Sequence, residues 1–302
     1  MDNILLTPTI SNVTSRNDVD TSIQFKHTKL DIPIIASPMK GITSPALIDA
    51  IYNLGGIGII HRFNHLINRL TQADEFNFLD IKFGAAIGLG DSSYKRFLDY
   101  GPTIICIDIA NGYLTSLHKF AKEVADYITK NNYKCDLMTG NVVTYKGAKA
   151  LQDSGVDIIR VGIGTGSLCS TTSVTGVGYP YDKSLVECSL VSSSIVADGG
   201  MKSSGDIVKA IALGAKAVMI GSLFGKAFES SHNGIIRGMA SKSLQEEYYH
   251  NVKSVEGIER EIKKTDSLEN IVNELVWGIK SACTYLNVEK LNELGEVYYT
   301  NE

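Results

Sequence analysis

The sequence predicts an α/β fold, a (β/α)8 TIM barrel forming a single domain over residues 1–302. Three observations lead there. Eight short apolar runs lie between residues 32 and 223. Most are continuously apolar rather than alternating, as strands buried on both faces of a parallel sheet are. Glycines and polar residues collect at the C-terminal ends of the runs, the rim on which such barrels build active sites.

Taken in order, the runs are 32–39 (IPIIASPM), 55–61 (GGIGIIH), 81–89 (IKFGAAIGL) and 103–110 (TIICIDIA), then 135–143 (CDLMTGNVV), 157–164 (DIIRVGIG), 193–200 (SSIVADGG) and 216–223 (KAVMIGSL). Helix-like stretches separate them at 44–54, 66–76, 92–100, 114–131, 147–154, 183–190 and 205–213. A doubly wound open sheet is the competing arrangement, but it places its phosphate-binding glycines after the first strand. Here the first run ends in SPMKG and the richest glycine loop follows the sixth. Residues 230–266 read as a polar, irregular loop over the barrel mouth, a mobile flap that closes on ligand. A helix resumes over 268–286.

Composition excludes several classes. With 302 residues, a net charge of -4, 44% hydrophobic and 21% charged residues, the chain is an ordinary globular one. Mild acidity argues against nucleic acid or an anionic membrane as partner. No apolar run is long enough to span a bilayer, and MDNILLTPTI lacks a signal peptide's basic start, so the expected location is cytoplasmic. Five cysteines without a CxxC pair make a disulfide framework or zinc site a poor fit.

The stretch 161–180, VGIGTGSLCSTTSVTGVGYP, holds five glycines and eight hydroxyl side chains and no charge. Its alternating Gly162, Gly164 and Gly166 are not a dinucleotide fingerprint and precede no helical pattern. Such a catalytic loop, 162–180, can converge its carbonyls on a monovalent cation, with Gly164, Gly166 and Cys169 as the donors. Cys169 is either a nucleophile activated by backbone dipoles or a cation, or a small buried side chain. Thr171 is a proton relay or a turn former. The glycines of ADGG and of IGSL (Gly199, Gly200, Gly221), with Ser222 and Ser167, suit a phosphate cradle beyond strands seven and eight. Asp198 would repel phosphate, so beside the cradle it suits ribose hydroxyls or, alternatively, a helix N-cap.

The motifs GSLCSTT, TGVGYP, DGGMKSSGDI and VMIGSLF resemble those of the IMP dehydrogenase/GMP reductase family over nearly the whole chain. DIANGY, TGNVVT, TGVGYP and SACTY resemble the reductase branch. Only residues 62–80 stand where the dehydrogenase branch inserts a CBS module, and EEYYH offers Tyr248 or Tyr249 without that branch's adjacent arginine. The resemblance implies reductive deamination of GMP to IMP and ammonia with NADPH through a thioimidate on Cys169, with Thr171 and Glu256 relaying the proton. It implies that Ser167, Gly200, Gly221 and Ser222 hold the phosphate and Asp198 the ribose, with Ser37, Met39 and Gly199 also in the substrate site. Gly238, Met239, Ser241, Lys253 and Gly257 would contact the base, and Arg62, Asp108, Ile109, Ala110 and Asn111 the cofactor. Potassium on the catalytic loop and a homotetramer follow from the same likeness. The chain departs from the family pattern at Lys40, Arg62, Thr172, Tyr181 and Lys253. Three other readings stay open: an IMP dehydrogenase lacking the module, a reductase of a related nucleotide such as dGMP, and a catalytically silent nucleotide-binding barrel.

Overall fold

Each of the eight apolar runs forms a parallel strand, and the eight close on one another in chain order. The strands are Ile34–Ala36, Ile57–Ile60, Phe83–Ile87, Ile104–Ile107, Asp136–Val142, Ile158–Val161, Ile195–Asp198 and Ala217–Ile220. Closure is made where Val218 pairs with Ile34 and Met219 with Ile35. The computed structural model describes residues 1, 4–192, 194–249, 252, 254–296 and 299–301.

Both faces of the strands are buried, which is why the sequence shows runs rather than alternation. Ile35, Ile59, Cys106 and Met138 fill the barrel lumen as one apolar cluster. Their chain neighbours Ile34, Ile60, Ile105 and Leu137 belong to a second cluster, between sheet and helices. A fully buried isoleucine contributes about 1.5–3 kcal/mol over an exposed one. The helices follow the strands: Pro45–Asn53, Leu66–Phe78, Tyr94–Leu98, Thr115–Lys130, Tyr145–Asp153, Tyr181–Ser189, Ser204–Ala212 and, after the eighth strand, Leu268–Leu286. Ser44 caps the first of them by accepting the Leu47 N–H at 3.0 Å.

Two features of the fold escape the sequence reading. The first is at the chain start, where no element is expected before residue 32. Ile23–Gln24 pairs antiparallel with Lys29–Leu30, and this hairpin drives Ile23, Phe25 and Leu30 into the lumen cluster. Asp136, fully buried, accepts the Thr28 N–H at 2.8 Å. The floor of the barrel is thus plugged, and the open rim lies at the C-terminal strand ends. A second pairing joins Ile4–Leu6 to Tyr299–Asn301.

The second feature is the segment expected to be irregular. Ile235–Arg237 pairs antiparallel with Glu259–Glu261, and Lys242–Tyr249 is a helix between them. Ile236 and Leu244 are each 1% exposed, so the segment does have apolar anchors. The helix is fastened to the rim: Lys40 pairs with Glu247 and donates to the Tyr248 hydroxyl. The Tyr248 ring also meets Phe63 edge-on at 5.2 Å. Elements this short leave too few repeats for periodicity to reveal.

Among the described residues no helix is long and apolar enough to cross a membrane.

Candidate active site

The sixth strand delivers the chain into the glycine loop, which ends in a helix the sequence did not reveal, Thr171–Thr175. It is a single turn rich in β-branched residues, below the length at which a pattern emerges. Cys169 sits in the bend just before it. Its N–H donates to the Gly166 carbonyl at 3.0 Å, and its Sγ lies 3.3 Å from Thr171 Oγ1. Of the five cysteines, all among the described residues, Cys169 alone is exposed. Burial pushes the thiols of Cys106 and Cys188 up to about 12 and that of Cys283 to about 11, and raises that of Cys135 as well. Those four are packing residues, and Cys169 is the thiol open to a reaction partner.

The flap is hydrogen-bonded onto this loop. Ser170 donates its N–H to the Glu256 carbonyl at 2.9 Å, Ile258 donates to Leu168 at 3.0 Å, and Glu256 donates to Ala240 at 3.2 Å. Gly238 permits the approach: a Cβ there would fall 2.4 Å from the Leu168 carbonyl oxygen. The result is one cleft whose wall carries Cys169, Thr171 and Glu256 together, with Gly238 and Met239 from the flap. Ser241 and Gly257 are held against each other behind that wall, Ser241 with no exposure at all. Lys253, the remaining flap candidate, lies outside the described residues. Tyr248 is engaged with Lys40 at the rim, and Tyr249's side chain also falls outside the description.

At the other end of the cleft the glycines after strands seven and eight meet the catalytic loop. Gly199 has φ 79°, and a Cβ there would sit 2.9 Å from the Gly166 nitrogen, so two backbones pack where a side chain cannot. Ser167 and Ser222 bring their hydroxyls to 2.7 Å, and Ser37, Met39, Gly200 and Gly221 complete that end. The helix Ser204–Ala212 is capped by a Ser203–Asp206 capping box. The N-cap alternative for Asp198 is therefore not realised.

Asp198 instead belongs to a buried ion network that sequence reasoning missed. Arg160 Nη2 reaches Asp198 Oδ2 at 2.7 Å and Nη1 reaches Asp108 Oδ1 at 2.8 Å. Asn141 Nδ2 donates to the same Asp198 oxygen at 2.8 Å. Burial works against the Arg160 charge, but Asp198, Cys106 and Asp108 together hold its pKa well above the ordinary value. Arg62 approaches the far oxygen of Asp108 at 3.7 Å. Asp108 and Ala110 line the cleft, whereas Asn111 closes a turn by accepting the Tyr113 N–H at 3.0 Å. Ile109 packs against the outer core. The signal for Arg160 was a lone arginine inside the run DIIRVGIG. Tyr181, noted only as a departure, packs half-buried against the core and donates to the Gly199 carbonyl at 3.2 Å. Burial and then Asp198 push its hydroxyl pKa well up. His61 ends the second strand; burial, then Lys40 and Arg69, lower it to about 4, which keeps it neutral at physiological pH.

Comparison with known proteins gives a consistent result. Residues 1–300 match the family described as "IMP dehydrogenase / GMP reductase domain". The chain is 31% identical to an inosine-5'-monophosphate dehydrogenase of Cryptosporidium parvum, covering 97% of this chain and 89% of that protein. It is 31% identical to GMP reductase 2 of Homo sapiens, with 96% and 90% covered. It is 32% identical to a GMP reductase of Shigella flexneri, again with 96% and 90% covered.

Proposed function

The chain belongs to the IMP dehydrogenase/GMP reductase family, and we propose that within it this protein is a GMP reductase: GMP + NADPH + H+ gives IMP, ammonia and NADP+. The observation that carries the reading is the exposed Cys169 thiol, 3.3 Å from the Thr171 hydroxyl, in one cleft with Glu256 and the Ser167–Ser222 end. Cys169 attacks C2 of the guanine. The C2–N bond breaks, ammonia leaves with a proton relayed through Thr171 and Glu256, and a thioimidate joins C2 to sulfur. Covalent capture divides one hard displacement into two easier steps. When bound, the nicotinamide supplies hydride to C2, after which the thiolate departs.

The chain's own groups fit these partners. Glycine backbone and two hydroxyls suit a phosphate, as N–H-rich turns do. Asp198 Oδ2 is committed to Arg160 and Asn141, so its other oxygen is the edge for a ribose hydroxyl. Asn141 Oδ1 is buried without a hydrogen-bond partner, an acceptor suited to a carboxamide NH2 of a nicotinamide. Asp108, Ala110 and Arg62 would continue that cofactor contact. A monovalent cation such as potassium suits the catalytic loop, whose donors are carbonyls; Gly164, Gly166 and Cys169 would hold it and fix the loop. We extend the reading to a cytoplasmic homotetramer.

Tyr248 has no arginine adjacent to it in EEYYH, which favours the reductase over a dehydrogenase that must activate water. The test is a panel of GMP, dGMP, IMP and XMP with NADPH or NAD+, followed at the nicotinamide absorbance. GMP-dependent NADPH loss is expected. IMP-dependent NADH formation assigns the dehydrogenase instead, a preference for dGMP retunes the substrate, and no turnover at all leaves a binding barrel.

Glu256 carries a separate expectation. Glu256→Gln keeps the size and the main-chain bonds to Ser170 and Ala240 but removes the proton acceptor. The rate should fall by about 10²–10⁴, the usual worth of general acid–base catalysis, with the Kd for GMP changed less than about threefold. Full activity in this variant removes Glu256 from the relay.

A further inference from the structure

We propose that Arg260 is the cation that neutralises the nucleotide 5'-phosphate, delivered to the cradle by the flap. The inference rests on the purine-nucleotide reading above and adds a residue to it.

The starting point is charge. The cleft wall carries three carboxylates, Asp108, Asp198 and Glu256, against one guanidinium, Arg160. Arg160 is already bound to two of those carboxylates. The cradle itself is neutral, made of Ser167, Ser222 and glycines. A nucleotide monophosphate brings close to two further negative charges at neutral pH. Backbone N–H groups and hydroxyls can hydrogen-bond it, but nothing in the wall balances it.

Arg260 stands beside this gap. It lies on the flap strand Glu259–Glu261, opposite Ile236, and its Nη2 donates to the Ser167 carbonyl at 3.2 Å. Ser167 is the residue whose hydroxyl meets Ser222 in the cradle at 2.7 Å. The guanidinium is therefore tied to the backbone of a cradle residue, just outside the residues that line the cleft. It is exposed, and among the described residues it forms no salt bridge. One N–H is used on Ser167, and the remaining donors of the fork are available; a guanidinium presents five. Lys202, the other cation near these glycines, lines a neighbouring hollow with Gly178 and Pro180, whereas Arg260 is bonded to the cradle residue Ser167.

The experiment compares wild type, R260A, R260K and R260Q by calorimetric titration with GMP, IMP and guanosine, and by steady-state rates. R260A and R260Q should bind GMP and IMP about ten- to a hundredfold more weakly, the worth of a charge-assisted hydrogen bond. R260K, which keeps the charge, should recover to within a few fold. Guanosine binding should be alike in all four. The KM for GMP should rise by the same factor while kcat at saturation stays within about twofold. Raising salt should weaken wild type more than R260Q. Unchanged GMP affinity in R260A overturns the assignment. So does an equal loss for guanosine, or a loss that R260Q rescues as well as R260K, since either marks a purely structural tie to Ser167. If wild type binds the monophosphates without turning them over, the reductase reading fails while the Arg260 assignment is still read from the affinities. If wild type binds none of them, both fall.

Discussion

Cys169→Ser should abolish turnover, by about 10⁴-fold or more, while GMP binds within about threefold of wild type. The sulfur is the only atom the variant changes. Serine keeps a hydroxyl at the bend, and the backbone bonds from Cys169 to Gly166 and from Ser170 to Glu256 need no side chain. What it lacks is the sulfur itself, since a hydroxyl is a far weaker nucleophile than a thiol. The exposure of Cys169, against the burial of the other four cysteines, is the reason to expect the whole effect at this one thiol. Acid-quenched wild type incubated with GMP should carry added mass equal to one GMP less one ammonia. The serine variant should carry none. Turnover retained by Cys169→Ser, or mass added at another cysteine, overturns the covalent route.

Legibility in the sequence followed a physical rule. Strands buried on both faces announce themselves as apolar runs, so all eight barrel strands and their helices were readable. So was the gathering of Cys169, the cradle glycines and Asp198 at one rim, because strand ends in a barrel share a rim. What was not readable depended on pairings distant in sequence or on elements of two to eight residues. The floor hairpin is held by Asp136, 108 positions from Thr28. The flap's strands and helix owe their shape to Ile236, Leu244 and the tie to Lys40, none of which forms a repeat. Asp198 was placed near the right ligand, yet its partners Arg160 and Asn141 lie 38 and 57 positions away. A lone arginine in an apolar run says that a counter-charge exists, but not which one.

That arginine supports the second large effect. Arg160→Met should destabilise the fold by about 3–5 kcal/mol, because it leaves the largely buried carboxylates of Asp108 and Asp198 without the guanidinium that joins them. Arg160 is 6% exposed, and its guanidinium joins the ends of the fourth and seventh strands through Asp108 and Asp198. Methionine fills similar volume, so the cost is electrostatic rather than a cavity. For a chain of this size the thermal midpoint should fall by roughly 5–10 °C. The triple change Arg160→Met, Asp108→Asn, Asp198→Asn removes the stranded charges as well. It should regain more than half of the lost stability, since replacing a whole buried ion group is far less costly than breaking it. It should not regain GMP affinity, because Asp198 then no longer offers a charged oxygen to the ribose. Calorimetric unfolding and GMP titration on the same two proteins separate these outcomes. A single variant as stable as wild type means that the network does not support the rim, and a triple variant that recovers binding means that the Asp198 charge does not serve the substrate.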